Sequence, residues 1–119
     1  GEPRMRSIYL DGGLEAEKAA ESLGQALRKL AWVGTREQAI AAGWFGPVSP
    51  RVAPRLGDVI VAARAQVAFT QTADSAAALA MVGQHGGLSS EERGVPLALA
   101  GSLAGSGFAA TLARVSQLI

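Results

Sequence analysis

The chain contains one histidine, His85, which lies between glycines in the stretch MVGQHGGLSSE of residues 81–91. Imidazole is the side chain that most often binds metals in proteins, and glycine lets a backbone approach an ion closely. A metal site needs two or three further ligands, and no other strong ligand lies close to His85 in the sequence. An exposed loop histidine and a metal ligand are therefore both open interpretations, and composition alone favours the first.

Other catalytic patterns are missing from the sequence. No GxGxxG follows a predicted strand, and no GxxxxGK[ST] occurs, so neither a dinucleotide site nor a phosphate-binding loop is predicted. Several serines accompany His85, together with the acidic residues Asp11, Asp58 and Asp74. Such a set arises by chance in most chains, so the sequence predicts no catalytic triad.

Length and composition predict one globular domain. The chain has 119 residues, of which 49% are hydrophobic, enough to form one core. Its 11 basic and 10 acidic residues are scattered, so a nucleic acid polymer is not a predicted partner. No apolar stretch reaches the roughly 18 residues of a membrane span. The lack of cysteine excludes disulfides and thiolate metal sites and fits a cytoplasmic protein.

The first third of the chain predicts a strand, a helix and a second strand. Residues 4–10 carry β-branched, aromatic and aliphatic side chains, which are typical of a strand. Apolar residues recur at helical spacing over residues 14–30, with acidic residues early and basic residues late, so an amphipathic helix is predicted. Residues 31–33, AWV, predict the second strand.

The next part predicts a short helix, a loop and a hairpin. Thr35 and Gln38 have the spacing of a capping box, and Gly43 ends the helix that this box begins. Residues 44–57 hold three of the five prolines and predict a loop. Residues 58–70 contain two β-rich runs and predict a hairpin. This order of elements predicts an α+β fold, a small layered sheet with helices on one face.

The residues after the predicted hairpin are different in character. Residues 71–88 are small, polar and rich in glycine. Ser89 and Glu92 have the spacing of another capping box, which predicts a helical turn that Pro96 ends. Residues 95–100 predict a strand. A Gly/Ser connection follows, and then a helix whose apolar face is formed by Phe108, Leu112, Val115, Leu118 and Ile119.

The segment MVGQHGGL of residues 81–88, followed by SSEER and VPL, resembles the last metal-ligand motif of the alkaline phosphatase superfamily. Within that superfamily it is most similar to the type I phosphodiesterase and nucleotide pyrophosphatase group. The stretches GEPRMRSIYL, REQAIAAGWFGP and GDVIVAARAQVAF also resemble the C-terminal region of bacterial members. The resemblance covers about residues 1–100, and the His-Gly-Gly stretch is its most specific part.

The resemblance implies a metal-dependent enzyme. In this family two metal ions, usually zinc, lie about 4 Å apart and hold a phosphoryl group during its transfer to a Thr or Ser nucleophile. His85 matches the final histidine ligand of one metal. The family's nucleophile, its aspartate ligands and its Asp-His-Gly motif lie upstream and have no counterpart here. The resemblance therefore implies a C-terminal fragment of a longer phosphodiesterase or pyrophosphatase, inactive alone, with the rest of the catalytic domain as partner and a phosphoester as substrate.

The same resemblance divides the chain into three parts. Residues 1–70 correspond to a ferredoxin-like cap subdomain that helps to shape the substrate side. Residues 71–100 correspond to the His-containing loop and a strand of the parent catalytic domain. Residues 101–119 are the Gly/Ser connection and C-terminal helix.

Basic and aromatic side chains of the cap are candidate substrate contacts. The arginines that can bind a phosphodiester are Arg4, Arg6, Arg51 and Arg55. Trp44 and Phe45 can stack on a base, although large aromatics beside a proline loop usually belong to a core. Exposed arginines likewise usually serve solubility, so specific substrate contacts are not assigned.

Two other functions stay open. One is a free-standing ferredoxin-like module that binds a small ligand or another chain through its sheet face. The other is homo-oligomerisation through the apolar face of residues 108–119. An upstream coding frame with an Asp-His-Gly motif favours the enzyme fragment over both.

Overall fold

A computed structural model of the chain describes residues 2–105, 107–108 and 110–112. It shows an α+β protein with a small layered architecture, as the sequence predicts. The strands are β1 (Met5–Ile8), β2 (Ala31–Thr35) and β3 (Val59–Ala63). The helices are α1 (Ala16–Ala26), α2 (Arg36–Ala41), α3 (Ala76–Ala80) and α4 (Ser90–Arg93), with 3-10 turns at Ala53–Leu56 and Gly101–Leu103.

Strand β3 is the centre of the sheet. The strand order is β1-β3-β2, and β3 runs antiparallel to both neighbours. Every residue of β3 is buried, and Val59 and Ile60 are fully buried. A continuous apolar run such as VIVAA is typical of a strand that is covered on both faces. Since β1 and β2 flank β3 and are joined by α1, the first three strands form a split β-α-β arrangement.

Helix α1 packs on the sheet through small side chains. Ala20 is buried, and a Cβ added to Gly24 would lie 3.9 Å from Val33 Cβ, so the helix approaches β2 closely. The helix is shorter than the predicted 14–30. It ends at Ala26, where Leu27 caps it, and a turn then leads directly into β2. Residues 27–30, the last four of the predicted helix, form this turn instead, closed by hydrogen bonds from Leu30 N and Ala31 N to Leu27 O.

Helix α2 begins at the predicted capping box. Thr35 Oγ1 accepts a hydrogen bond from Gln38 N at 3.2 Å, and Thr35 N donates to Gln38 Oε1 at 2.9 Å. Thr35 is also the last residue of β2 and is 2% exposed, so the strand passes into the helix without a loop. Gly43 follows the helix with a φ of 73°, as a C-terminal glycine requires.

The predicted hairpin is wrong in its second half. Only β3 forms, and residues 64–70 have no strand although the structure describes all of them. Three of their carbonyl groups, those of Ala65, Val67 and Phe69, accept hydrogen bonds from the side chains of Arg4 and Arg6, and Ala65 O also accepts from Val67 N at 2.8 Å. A strand forms only where its backbone groups can pair with a neighbouring strand. Here the guanidinium groups of Arg4 and Arg6 bind carbonyls of this segment, so the predicted second strand does not form.

The segment after residue 70 also differs from prediction. Residues 95–100, all within the described part, form no strand, and Val95 is 82% exposed. Helix α3 was not predicted. It begins at Ser75, whose Oγ accepts a hydrogen bond from Ala78 N at 3.2 Å, and its alanine-rich sequence favours helix.

Among the described C-terminal residues, a 3-10 turn lies at Gly101–Leu103 within the predicted flexible connection, and residues 108 and 110–112, at the start of the predicted last helix, are helical. Of the predicted apolar face, Val115, Leu118 and Ile119 lie outside the described residues, so the oligomerisation hypothesis stays a prediction. Among the helices in the described part, none is both long and apolar enough to cross a bilayer.

Candidate functional site

His85 lies on an exposed loop between α3 and α4, and residues 81–89 are called the His85 loop below. Its imidazole is open to solvent. Within the ranges that the structure describes, no group of three or more His, Cys, Asp or Glu side chains is arranged to hold a metal ion. The described residues therefore bring no complete ligand set to His85, and any metal there takes its other ligands from elsewhere.

The two glycines after His85 are required by close contacts. Gly86 has a φ of 97°, in the left-handed region, and a Cβ there would lie 2.7 Å from Glu2 Cβ. A Cβ on Gly87 would lie 2.9 Å from Glu92 Cδ and closer still to the carboxylate oxygens. The His-Gly-Gly sequence thus lets the loop lie directly against the chain's first residues and against α4.

The Glu92 carboxylate is the centre of this packing. Its Oε1 accepts hydrogen bonds from Gly87 N at 2.9 Å and from Arg4 Nε at 2.7 Å. Its Oε2 accepts from Ser89 Oγ and from Arg4 Nη2, both at 2.9 Å. The predicted capping box is therefore half present. Ser89 caps α4 by accepting from Glu92 N at 3.4 Å, while the Glu92 side chain bonds to the loop and to Arg4.

Arg4 completes the connection to the sheet. Its Nη1 donates to Ala65 O at 2.8 Å and to Val67 O at 2.6 Å. The Arg4 and Glu92 side chains are only 12% and 14% exposed, so water screens their ion pair little. The hydrogen bonds from Arg4 hold the pKa of Glu92 at about 2, helped by those from Gly87 and Ser89 and opposed by burial. The bond to Glu92 raises the pKa of Arg4.

A second ion pair lies further along β1. Arg6 Nε donates to Phe69 O at 2.7 Å, and Arg6 Nη2 lies 3.0 Å from Asp74 Oδ2. Asp74 Oδ2 also accepts from Gln71 N at 2.7 Å. This pair holds the segment that precedes α3, in the same way that Arg4 holds the segment that contains α4.

Two of the four arginines predicted as phosphate contacts are thus committed to ion pairs within the chain. Arg4 and Arg6 bind carboxylates and carbonyls of later segments. Arg51 and Arg55 are exposed on the proline-rich loop, where the Arg55 carbonyl accepts a hydrogen bond from Tyr9 Oη at 2.8 Å. The structure does not gather these four arginines and His85 into one cationic cluster.

The predicted aromatic contacts are partly buried. Trp44 and Phe45 are half-buried, and Trp44 shares a shallow cleft with Trp32, Leu88 and Arg93. The Arg64 guanidinium carbon lies 5.2 Å from the Trp32 ring centroid, a cation–π distance. Because Leu88 belongs to the His85 loop, this loop also borders Trp32 of β2 and Trp44, which follows α2.

Large apolar side chains near the His85 loop are exposed. They are Leu79 (53%), Met81 (60%), Val82 (98%), Val95 (82%) and Leu97 (52%). They lie on both sides of His85 in the sequence, and each of them is more than half exposed.

Comparison with models of protein families, with curated proteins and with solved structures returned no match for this chain. The site is therefore argued from its own geometry. Sequence reasoning missed the Arg4–Glu92 pair, for which Ser89, Glu92 and the two glycines were the local signals and nothing in the sequence indicated Arg4.

Proposed function

We propose that this chain is the C-terminal part of a longer, metal-dependent phosphoester hydrolase of the type I phosphodiesterase and nucleotide pyrophosphatase group. In this proposal His85 supplies one ligand to one of the metal ions. The observation that carries it is an accessible imidazole followed by two glycines that close contacts require, within the stretch that resembles the family's last ligand motif.

The imidazole fits the role of a single ligand. Zinc accepts neutral imidazole nitrogen among its usual ligands, and His85 is exposed, so an ion and a second protein surface can both reach it. When bound, the metal would polarise a phosphoryl oxygen of the substrate. The nucleophile and the remaining ligands belong to the longer protein, and the chain alone is expected to be inactive.

The remainder of the catalytic domain is the proposed partner. Exposed apolar side chains on both sides of His85, such as Val82 and Val95, suit a surface that another domain covers. Residues 95–100 have a strand-like sequence but form no strand in this chain. A strand of that domain could pair with them and satisfy their backbone hydrogen-bonding groups. The three-stranded sheet would then lie beside the active site as the cap. A cytoplasmic location, which the lack of cysteine in these 119 residues fits, is part of the same proposal.

The test is hydrolysis of a chromogenic phosphodiester by the longer protein, with and without added zinc. We expect His85→Ala to lower zinc-dependent turnover by about a hundredfold or more, since loss of an outer-shell partner alone costs roughly 10–100-fold. Zinc content of the purified proteins should fall in parallel. Ser90→Ala, a change at an exposed position of α4, is the control and should leave both unchanged.

Unchanged turnover and zinc content in His85→Ala would contradict the assignment of His85. A longer protein without metal-dependent turnover would contradict the enzyme proposal as a whole. The free-standing binding module would then be the better explanation of the sheet.

A further inference from the structure

The His85 loop is joined to the sheet by one carboxylate. Glu92 accepts hydrogen bonds from Gly87 N and from Ser89 Oγ, both within the loop. The same carboxylate accepts two bonds from Arg4, which immediately precedes β1. Arg4 in turn donates to the carbonyls of Ala65 and Val67, which follow β3. A continuous chain of hydrogen bonds therefore runs from the start of β1 and from the segment after β3 to the loop.

The geometry of this connection fixes orientation as well as distance. Two parallel N–H···O bonds between a guanidinium and a carboxylate allow little rotation, and bonds between charged groups are about twice as strong as neutral ones. The Glu92 side chain cannot swing away without exposing the N–H of Gly87, which lies two residues after His85. Gly86, between them, has a positive φ and lies directly against Glu2, which limits its movement. The backbone on one side of His85 is thus constrained at two successive residues.

We propose that Arg4 and Glu92 are positioning residues for His85, and that their ion pair, acting through the Gly87 N–H, sets where the imidazole stands relative to the sheet. What the imidazole binds rests on the proposed function, whereas the positioning itself does not. In the longer enzyme this connection would couple the cap to the metal site, because the sheet and the loop move as one unit.

The positioning is tested in the 119-residue chain by NMR, where the single histidine makes the imidazole signals unambiguous. We expect Glu92→Gln to speed amide exchange of Gly87 by about tenfold, the effect of losing a charge-assisted hydrogen bond. The His85 ring signals should shift toward those of a free peptide. Asp74→Asn, which disrupts the comparable Arg6–Asp74 pair, is the matched control and should leave Gly87 and His85 unchanged.

A second variant keeps the inference falsifiable if Glu92→Gln unfolds the chain. Glu92→Asp retains the charge but is one methylene shorter, so its carboxylate cannot reach Arg4 and Gly87 together. We expect a native circular dichroism spectrum with faster Gly87 exchange. Unchanged Gly87 exchange and unchanged His85 signals in a folded Glu92 variant would overturn the inference, whatever His85→Ala does to activity.

The longer enzyme separates this inference from the proposed function. There Glu92→Gln should weaken zinc retention by about tenfold, as loss of a supporting residue does, with Asp74→Asn unchanged. If Glu92→Gln alters the NMR signals but His85→Ala retains as much zinc as the unmodified enzyme, the metal-ligand role is refuted and the positioning stands. Zinc lost in His85→Ala but fully retained in Glu92→Gln would refute the positioning.

Discussion

Arg4 and Glu92 lie 88 positions apart and meet through two parallel hydrogen bonds, Nε to Oε1 at 2.7 Å and Nη2 to Oε2 at 2.9 Å. The pair joins the start of β1 to α4, and it is partly buried. It therefore links the sheet to the segment that carries His85.

Removing one member of this pair should destabilise the chain. Glu92→Gln leaves the Arg4 guanidinium without its counter-ion, and breaking this part-buried pair on one side should cost about 1–3 kcal/mol. We expect a loss of that order in the free energy of unfolding, measured by urea denaturation at neutral pH. Glu91→Gln changes the exposed neighbour in the same helix and should have little effect. Equal effects of the two substitutions would contradict the structural role of Glu92.

Acid should weaken the fold through the same group. The folded-state pKa of Glu92 is about 2, below its ordinary value of 4.5, so the unfolded chain takes up the proton first. The contribution of Glu92 is therefore complete above the ordinary pKa and is lost as pH falls through about 2, between roughly pH 5 and 2 in practice. Urea midpoints measured across this range should fall more steeply in the unmodified chain than in Glu92→Gln. Parallel curves would show that Glu92 is not the titrating group.

Gly87 should tolerate no side chain. A methyl group there would meet the Glu92 carboxylate, and forcing an extra methyl into a packed site costs about 1–3 kcal/mol. We expect Gly87→Ala to lower the free energy of unfolding by that amount and to speed exchange of the residue-87 amide. Gly83→Ala is the matched control, since a Cβ on Gly83 meets nothing within 4 Å. A Gly87→Ala chain as stable as Gly83→Ala would contradict the close approach.

The core of the sheet should depend on Ile60. This side chain is fully buried on the central strand β3, where Ile60 pairs with Ser7 of β1 and with Gly34 of β2. Ile60→Ala should cost about 2–5 kcal/mol, the range for truncating a buried aliphatic residue. Thermal unfolding followed by circular dichroism measures the loss. Val52→Ala, at a 40% exposed position, is the control, and a comparable loss there would place the core elsewhere.

The sequence predicted much of the α+β framework but not the course of residues 64–70. Val67 and Phe69 have strand-like side chains, and local pattern alone therefore extended the hairpin through them. Their carbonyls instead bind the guanidinium groups of Arg4 and Arg6, which lie more than 60 positions earlier. A window of a few residues cannot detect such partners. Helix α3 is a different case, because Ser75 before an alanine run was a local signal that went unused.

Local sequence was enough to predict the helix ends, which depend on hydrogen bonds and backbone angles of residues that are close in the chain. The capping box of Thr35 and Gln38, the glycine stop at Gly43 and the Ser89 cap of α4 all formed where they were predicted. Tertiary packing sets the partners of the Glu92 carboxylate, and it also sets the close contact that leaves no room for a side chain at Gly87. Both depend on atoms that the chain brings together from opposite ends, and side-chain packing of that kind has no signature in local residue spacing.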